Sequence, residues 1–120
     1  MSCFYTKKGN TAIAIAVILS DANGPVSLTG ATVRFRMRAW DGISSPALGT
    51  AKVDAAATPD GDQSANKGKV TYAWQAADVD TPGLYACEWE VTFSGGAKAT
   101  FPRDAVSPSL DSVRIWQNLA

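Results

Sequence analysis

Large apolar residues and polar residues alternate along much of the chain, which is the pattern of β-strands with one buried face and one wet face. The clearest examples are residues 32–40, 69–75 and 84–93. The side chains predicted to face the core are Val33, Phe35, Met37, Val70, Tyr72, Trp74, Tyr85, Cys87, Trp89, Val91 and Phe93. No window carries the 3.6-residue apolar period of a long amphipathic helix. The pattern therefore predicts an all-β protein.

Turn signals divide the rest of the chain into further short strands. We predict these strands at residues 11–20, 50–56, 98–101 and 112–116, with a short extended piece at 26–28. Turns or loops are expected at 21–25, 41–49 and 94–96, a long mobile connection at 58–68, and one helical turn near 75–78. Seven to nine short antiparallel strands at this spacing predict a sandwich or a barrel.

The segment DTPGLYAC at residues 80–87 favours the sandwich. It resembles the corner of the immunoglobulin fold, in which a tyrosine opens the penultimate strand two residues before a cysteine. Tyr85 and Cys87 keep that spacing, but the early strand carries Ile15 and Val17 in place of the second cysteine. We therefore expect a single immunoglobulin-like antiparallel β-sandwich of about seven to nine strands over residues 1–120, with aliphatic packing where the inter-sheet disulfide would lie.

The composition of the chain excludes several classes of function. The 120 residues are 46% hydrophobic and 18% charged, which fits one globular domain. The chain has no histidine, so it cannot by itself form a Ser-His-Asp triad, a Cys-His pair or a histidine-containing metal site. Eleven basic and eleven acidic residues give a formal net charge of zero, which argues against general nucleic-acid binding. We expect a binding or assembly module that is not an enzyme and has no cofactor.

The N-terminus and the two cysteines leave alternatives open. Lys7 and Lys8 precede an apolar run at 12–19 that resembles a short secretory signal, but its alternation favours a strand. We expect no signal peptide, and the run is too short to span a bilayer. Cys3 and Cys87 have no metal-binding spacing. They are either thiols or a disulfide pair.

Two sets of acidic and polar residues have weak chemical interpretations. Asp60, Asp62, Ser64 and Asn66 alternate as calcium ligands do, but Ala65 and Thr71 stand where a calcium loop needs glycine and an acidic residue. A solvated loop without a metal is favoured. Glu88 and Glu90 lie on the exposed face of a strand, where two carboxylates are rarely desolvated enough for catalysis.

Three surface features are candidate protein interfaces. Arg34, Arg36 and Arg38 form a stripe on one strand, either facing a partner or pairing with Glu88 and Glu90 on a neighbouring strand. Ala12, Ala14, Ala16 and Ile18 lie opposite the large aliphatic residues Ile13, Ile15, Val17 and Leu19. A strand that is apolar on both faces is usually covered on both, here by a neighbouring subunit or by the termini of the domain. Trp116, near the C-terminus, suits an interface anchor.

The segments PVSLTGATVRFRMR, GKVTYAWQAADVDTPGLYACEWEVTFSGG and ATFP, with the opening FYTKKGNTAIAIAVILSDANG, resemble a known family. It is the immunoglobulin-like domain of tailed-phage structural proteins, notably the N-terminal domain of baseplate upper proteins. The likeness runs from about Phe4 to Ile115. Asn10 departs from it, since an acidic residue is usual in that opening turn.

The resemblance implies a non-enzymatic virion protein of the tail, baseplate or neck, made in the host cytoplasm and assembled as a homo-oligomer. Its expected partners are other virion proteins and copies of itself, with no small-molecule substrate, nucleic acid or membrane. Baseplate proteins of this family continue beyond the domain, so an adaptor, a decoration protein or a fibre-anchoring piece is expected here. The alternative is a carbohydrate- or cell-surface-binding module of the decoration or adhesin type.

Overall fold

Ten β-strands dominate the chain in a computed structural model, which describes residues 3–41, 50–101 and 112–119. The strands are β1 (Cys3–Lys7), β2 (Ile15–Ile18), β3 (Ser20–Asp21), β4 (Gly24–Pro25), β5 (Thr32–Ala39), β6 (Ala51–Pro59), β7 (Lys69–Tyr72), β8 (Gly83–Thr92), β9 (Lys98–Phe101) and β10 (Ser112–Trp116). A single 3-10 turn, Ala76–Val79, is the one helical element in these ranges. No helix within them is long and apolar enough to cross a membrane. The all-β prediction is confirmed.

Eight of these strands form one mixed sheet in the order β1-β10-β8-β5-β6-β7-β2, with β9 paired to the second half of β8. Strands β3 and β4 make a small separate hairpin. Strand β6 joins two layers, because its residues 51–57 pair with β5 while Thr58 and Pro59 pair with β7. The sheet therefore folds over on itself until it is nearly barrel-shaped, and the core fills the space between the layers.

Aromatic rings fill the centre of the core. Phe35 on β5 is fully buried and stacks on Tyr72 of β7, with 4.9 Å between the ring centroids. Its ring also lies 4.6 Å from that of Trp89 and meets Trp74 edge-on at 5.7 Å. Burying a ring of this size contributes about 1.5–3 kcal/mol. The alternation predicted for β5, β7 and β8 is confirmed by the burial of their apolar residues, while Phe93, just after β8, is only partly covered.

The prediction of purely antiparallel pairing is wrong at the edge of the sheet. Strand β1, which the sequence pattern did not indicate, runs parallel to β10. The two strands lie at opposite ends of the chain, so no turn signal between them could reveal the pairing. Residues 3–7 also lack the alternation of large apolar side chains that marks the core strands.

The strand predicted at residues 11–20 is shorter in the structure. Strand β2 begins at Ile15, while Ala12 and Ile13 lie in a bend. Ile15, Val17 and Leu19 are buried as expected, but Ile13 is 75% exposed and was wrongly assigned to the core face. The cause is topological, because residues 8–14 carry the chain from β1 across to the layer that contains β2. Here the crossing includes a bend at Ala12 and Ile13, so strand β2 begins only after it.

Other boundaries differ by less. The strand predicted at 50–56 runs on to Pro59 because its last residues pair with β7, and residues 26–28 form no strand. The hairpin at 94–96 is confirmed by the pairing of β9 with β8, and the helical turn by the 3-10 helix. The loop predicted at 41–49 lies outside the described residues apart from Asp41.

A hydrogen-bonded corner connects β7 to β8. The buried carboxylate of Asp78 accepts hydrogen bonds from the Tyr72 hydroxyl at 2.6 Å and from the Gln75 backbone N–H at 2.8 Å. Further along, the Tyr85 hydroxyl donates to the backbone carbonyl of Thr81 at 2.7 Å. Burial raises the pKa of both phenols, and the neighbouring Asp78 raises that of Tyr72 further. Both hydroxyls therefore stay protonated and keep donating.

Candidate functional site

A groove of about 740 Å³ follows the edge of the sheet, where β1 and residues 9–13 face each other. Three of the exposed large hydrophobic residues in the described ranges line it: Tyr5 at 65%, Ile13 at 75% and Trp116 at 50% exposure. We call it the edge groove. Its lining residues are Phe4, Tyr5, Thr6, Lys7, Gly9, Asn10, Thr11, Ala12, Ile13 and Trp116. Exposed aromatic residues grouped beside a concave surface are characteristic of interaction sites.

Backbone pairing fixes the aromatic residues of the edge groove. In the parallel register Tyr5 lies beside Arg114 and Lys7 beside Trp116, so these four side chains share the outer face. The Arg114 guanidinium lies 5.1 Å from the centroid of the Trp116 ring, within range of a cation–π interaction. The backbone N–H of Lys8 donates to the Trp116 carbonyl at 2.9 Å. Tyr5 and Trp116 are therefore held on paired strands.

The charge around the edge groove is positive. Lys7 lines it with an exposed side chain, Lys8 follows, and Arg114 lies against Trp116. None of the ten lining residues is acidic. The groove thus has a largely apolar lining with these three cations in it or beside it, which we call its cationic rim, and it suits an apolar ligand that carries negative charge.

The arginine stripe is largely neutralised within its own sheet. Arg36 donates two hydrogen bonds to the carboxylate of Glu90, at 3.0 and 3.4 Å, on the neighbouring strand β8. The predicted pairing with that glutamate is therefore confirmed, although Arg36 lies directly opposite Glu88 in the register. Arg38 lies further along β5, where the register to β6 shifts.

Asp54 on β6 is the acidic partner that the sequence did not reveal. Its carboxylate accepts from Arg34 Nε at 2.7 Å and from Arg36 Nε at 3.3 Å. The hydrogen bond from Arg34 holds the pKa of Asp54 below its usual value, and the bond to Glu90 raises that of Arg36. Alternation with the inward Val53 places Asp54 on the outer face, but no local pattern shows that β6 lies beside β5.

The predicted alanine face is not a single surface. Ala16 lies on the outer side of β2 beside the exposed Ile18, and it lines a second groove of about 1000 Å³ that includes Asp21 and Lys69. Ala12 lies in the bend and lines the edge groove, so it is separated from Ala16. Ala14 is half-buried just before β2. The expectation of one three-alanine face was wrong because the strand begins only at Ile15.

The sequence-predicted interface residues therefore fall on three parts of the surface. Ala12 and Trp116 meet at the edge groove, Arg34, Arg36 and Arg38 lie on β5, and Ala14 and Ala16 belong to the β2 side. Tyr5 and Ile13 of the groove were not singled out by the sequence. Tyr5 and Ile13 become neighbours of Trp116 only because β1 pairs with β10, and no local sequence pattern predicts that pairing.

The loop at 60–68 is stabilised by hydrogen bonds that its own polar groups form. Asp60 Oδ1 accepts from the Asp62 N–H at 2.9 Å, which lowers the pKa of Asp60. The Gln63 side chain accepts from the backbone N–H groups of Leu28, at 3.0 Å, and Gly68, at 2.9 Å. It also donates to the Asp60 carbonyl. Across the described ranges, no three His, Cys, Asp or Glu residues are grouped as metal ligands.

The two cysteines are thiols. Cys3 is half-buried on β1 and Cys87 is buried on β8. Strand β10 lies between those two strands, which keeps the sulfurs apart. The disulfide alternative is therefore wrong for this structure.

No family model matches the chain, and no curated protein sequence matches it. The features that bear on function are the strand pairing, the corner at Tyr85 and the edge groove.

Proposed function

We propose that this chain is a non-enzymatic, immunoglobulin-like structural domain of a tailed-phage virion that docks onto neighbouring virion proteins. The observation that carries the proposal is the edge groove. It exposes Tyr5, Ile13 and Trp116, and Tyr5 and Trp116 lie on strands that are paired through backbone hydrogen bonds. A domain of this kind acts as a rigid plug that presents edges and loops to its neighbours in fixed geometry.

The strand pairing supports the immunoglobulin-like assignment. That fold places strands A, B, E and D in one layer and C, F and G in the other. Here β2 pairs with β7 as B with E would, and β8 lies between β5 and β10 as F lies between C and G. Strand β6 serves first as a neighbour of C and then of E.

The corner before β8 supports the same assignment. A tyrosine near the start of strand F, hydrogen-bonded to a backbone group a few residues upstream, is a hallmark of the immunoglobulin corner. Tyr85 donates to the Thr81 carbonyl in this way. The phage assignment itself comes from the sequence segments that resemble the baseplate family, and it includes a homo-oligomeric arrangement in the particle.

Particle incorporation tests the proposal. Phage particles assembled with the double variant Ile13→Ser, Trp116→Ala as the sole copy are expected to contain less than about a tenth of the normal amount of this chain, by quantitative mass spectrometry. The loss follows from removing two central apolar anchors, each worth about 1–3 kcal/mol of binding. Ile18→Ser is the matched control, because Ile18 is also exposed but lies outside the edge groove.

Thermal unfolding of the purified variants separates docking from folding, since all three side chains are at least half exposed. The variants are expected to unfold within a few degrees of the wild type. Normal incorporation of the double variant, or absence of the wild-type chain from purified particles, contradicts the proposal.

Glycan binding is the second candidate, and the exposed rings of Tyr5 and Trp116 favour it because aromatic rings stack on sugars. Arg114 lies over the Trp116 ring and competes for that face. A glycan array decides between the candidates. Binding by the wild type that is lost in Trp116→Ala would favour the glycan-binding module, whereas the structural proposal predicts no binding.

A further inference from the structure

We propose that the open edge of β1 accepts an extended, acidic segment of another protein as an additional strand of the sheet. The inference rests on the proposed function, because it names the chemistry of the partner that the edge groove takes. Three features lie together here: a strand edge that no other described strand covers, exposed apolar side chains beside it, and a cationic rim without acidic residues among the groove lining.

The backbone of β1 has one side available. Strand β1 ends the order of the main sheet, and within the described residues it pairs with β10 alone. The hydrogen bond from Lys8 N–H to the Trp116 carbonyl shows which alternate residues of this segment direct their backbone groups toward β10. Phe4, Thr6 and Lys8 direct their backbone groups toward β10, so Tyr5 directs its N–H and C=O groups away from it. Tyr5 is therefore the centre of the open edge.

The open edge is short, which limits what can add to it. At one end, the Lys7 carbonyl already accepts the Asn10 N–H at 3.1 Å. The edge is thus bounded by the turn at 8–10, and the added strand would pair over only a few residues around Tyr5. A strand added here lies about 4.8 Å from β1. That places it in the edge groove, between β1 and the wall that Thr11, Ala12 and Ile13 form.

Side chains beside that position favour an apolar residue in the segment. Tyr5 and Trp116 lie on the outer face of the sheet, and Ile13 lies on the opposite wall of the groove. A residue paired across from Tyr5 has its Cβ within about 5.5 Å of the Tyr5 Cβ, close enough to cover the ring. In strand addition, backbone hydrogen bonds supply affinity, and such side-chain positions supply specificity.

Charge decides between an acidic segment and a second copy of this chain. Antiparallel pairing of two β1 strands centred on Tyr5 would set each Lys7 opposite Cys3 of the other copy, and no acidic residue is among the groove residues of either copy. A second copy therefore offers these cations no opposite charge. Carboxylates flanking the apolar residue of a foreign strand would instead face the two lysines and complement them.

Selection from a library of randomised ten-residue peptides tests the chemistry of the occupant. Binders of the immobilised wild-type chain are expected to alternate Asp or Glu with apolar residues. They should bind the variant Lys7→Glu, Lys8→Glu on the order of tenfold more weakly. The matched control is Lys67→Glu, Lys98→Glu, which makes the same charge change at exposed lysines outside the groove and is expected to leave binding unchanged.

Amide hydrogen exchange tests the strand itself. With the selected peptide bound, the Tyr5 amide is expected to exchange at least about tenfold more slowly, because it donates to the added strand. Methylating every second backbone nitrogen of the peptide should abolish binding when the methylated nitrogens face β1. Methylating the nitrogens that face away from β1 should leave binding unchanged. A library that yields no binder, binders without acidic enrichment, or unchanged exchange at Tyr5 overturns the inference. So does a β1-linked dimer of the wild type in solution.

The outcomes also separate this inference from the proposed function. If the chain is incorporated into particles through the edge groove but no acidic peptide binds, only the strand-addition inference fails. If acidic peptides add to β1 while the chain is absent from particles, the virion assignment fails and the binding chemistry stands.

Discussion

Single side chains hold this fold at the points where the chain changes direction. Gln63 satisfies the backbone N–H groups of Leu28 and Gly68, which lie far apart in the sequence. Asp78 holds the Tyr72 hydroxyl and the start of the 3-10 turn. Tyr85 holds the carbonyl of Thr81. Each satisfies a hydrogen-bonding group, and Leu28, Gly68 and Tyr72 are themselves buried, where an unpaired group has little access to water.

Tyr85→Phe tests the corner at this scale. The substitution keeps the buried ring and leaves the Thr81 carbonyl without its donor, so we expect the free energy of unfolding to fall by about 1 kcal/mol. Urea denaturation measures the change. Tyr5→Phe is the control, since the Tyr5 side chain is mostly exposed and its hydroxyl is accessible to water. Equal stability losses in the two variants would contradict a special role for the corner.

Residue-level features differ in how far the sequence predicts them. Tyr85 could be placed because its spacing from Cys87 and the turn before it form a local pattern. The role of Asp54 could not, since its pairing with Arg34 and Arg36 depends on which strands become neighbours. Polar groups that act across long sequence separations, such as Gln63, have no periodicity to reveal them.

At the scale of elements, β5, β7, β8 and β10 were predicted within a few residues because a two-residue period is a local property. The crossing of β6 between layers and the parallel pairing of β1 were not predicted. Both depend on contacts between distant segments, which alternation does not encode. The edge groove was only partly predicted for the same reason. Trp116 was predicted as an anchor, but its neighbours Tyr5 and Ile13 come close to it only because β1 pairs with β10.

Gly68, the last loop residue before β7, packs closely against the backbone near β2. Its φ is +82°, and a Cβ there would lie 2.7 Å from the Leu19 carbonyl oxygen. Gly68→Ala is therefore expected to lower the free energy of unfolding by more than about 2 kcal/mol, combining left-handed backbone strain with a backbone clash. Thermal or urea denaturation checks the loss.

Two other glycines separate strain from clash. Gly9 has φ +84° with open space around it, so Gly9→Ala should cost about 1 kcal/mol. Gly61 has neither a positive φ nor a close neighbour, and Gly61→Ala should be nearly neutral. If Gly68→Ala were no worse than Gly9→Ala, the close approach to Leu19 would have no energetic weight.

For the whole molecule, the balance of eleven basic and eleven acidic residues reflects some pairing within the sheet. Arg34 and Arg36 share Asp54, and Lys52 pairs with Asp80, which lowers the pKa of both aspartates. The positive charge at the edge groove has no acidic residue beside it among the lining residues. Local neutralisation on one face and a cationic rim on another coexist in a formally neutral protein.

Between neutral and acidic pH, stability should therefore change in one window only. The pKa of Asp54 is lower in the folded state than its unfolded value of 3.8, so ionised Asp54 stabilises the fold above about pH 3.8. This contribution is lost as the pH falls through the pKa of the folded state. With no histidine to titrate, we expect the urea midpoint to stay constant from about pH 5.5 to 7 and to decline below about pH 4.

Asp54→Asn should lower stability at pH 7 by less than about 1 kcal/mol, because the ion pairs are partly exposed, and should shrink the acid decline. Glu88→Gln, on the same outer face of the sheet, is the control and should keep the wild-type profile. A midpoint that shifts between pH 5.5 and 7, or an acid decline that Asp54→Asn leaves unchanged, would contradict this account.

The parallel pairing of β1 with β10 also determines how the domain carries a mechanical load. Cys3 lies beside Ser112 and Lys7 beside Trp116, so residues 3 and 116 are at opposite ends of the pair. Tension applied at those two residues slides the strands past each other and strains their hydrogen bonds together, instead of peeling them one by one. Forced unfolding is governed by the unfolding rate, which shear loading keeps low. The edge of the sheet is thus a clamp that resists pulling along its length.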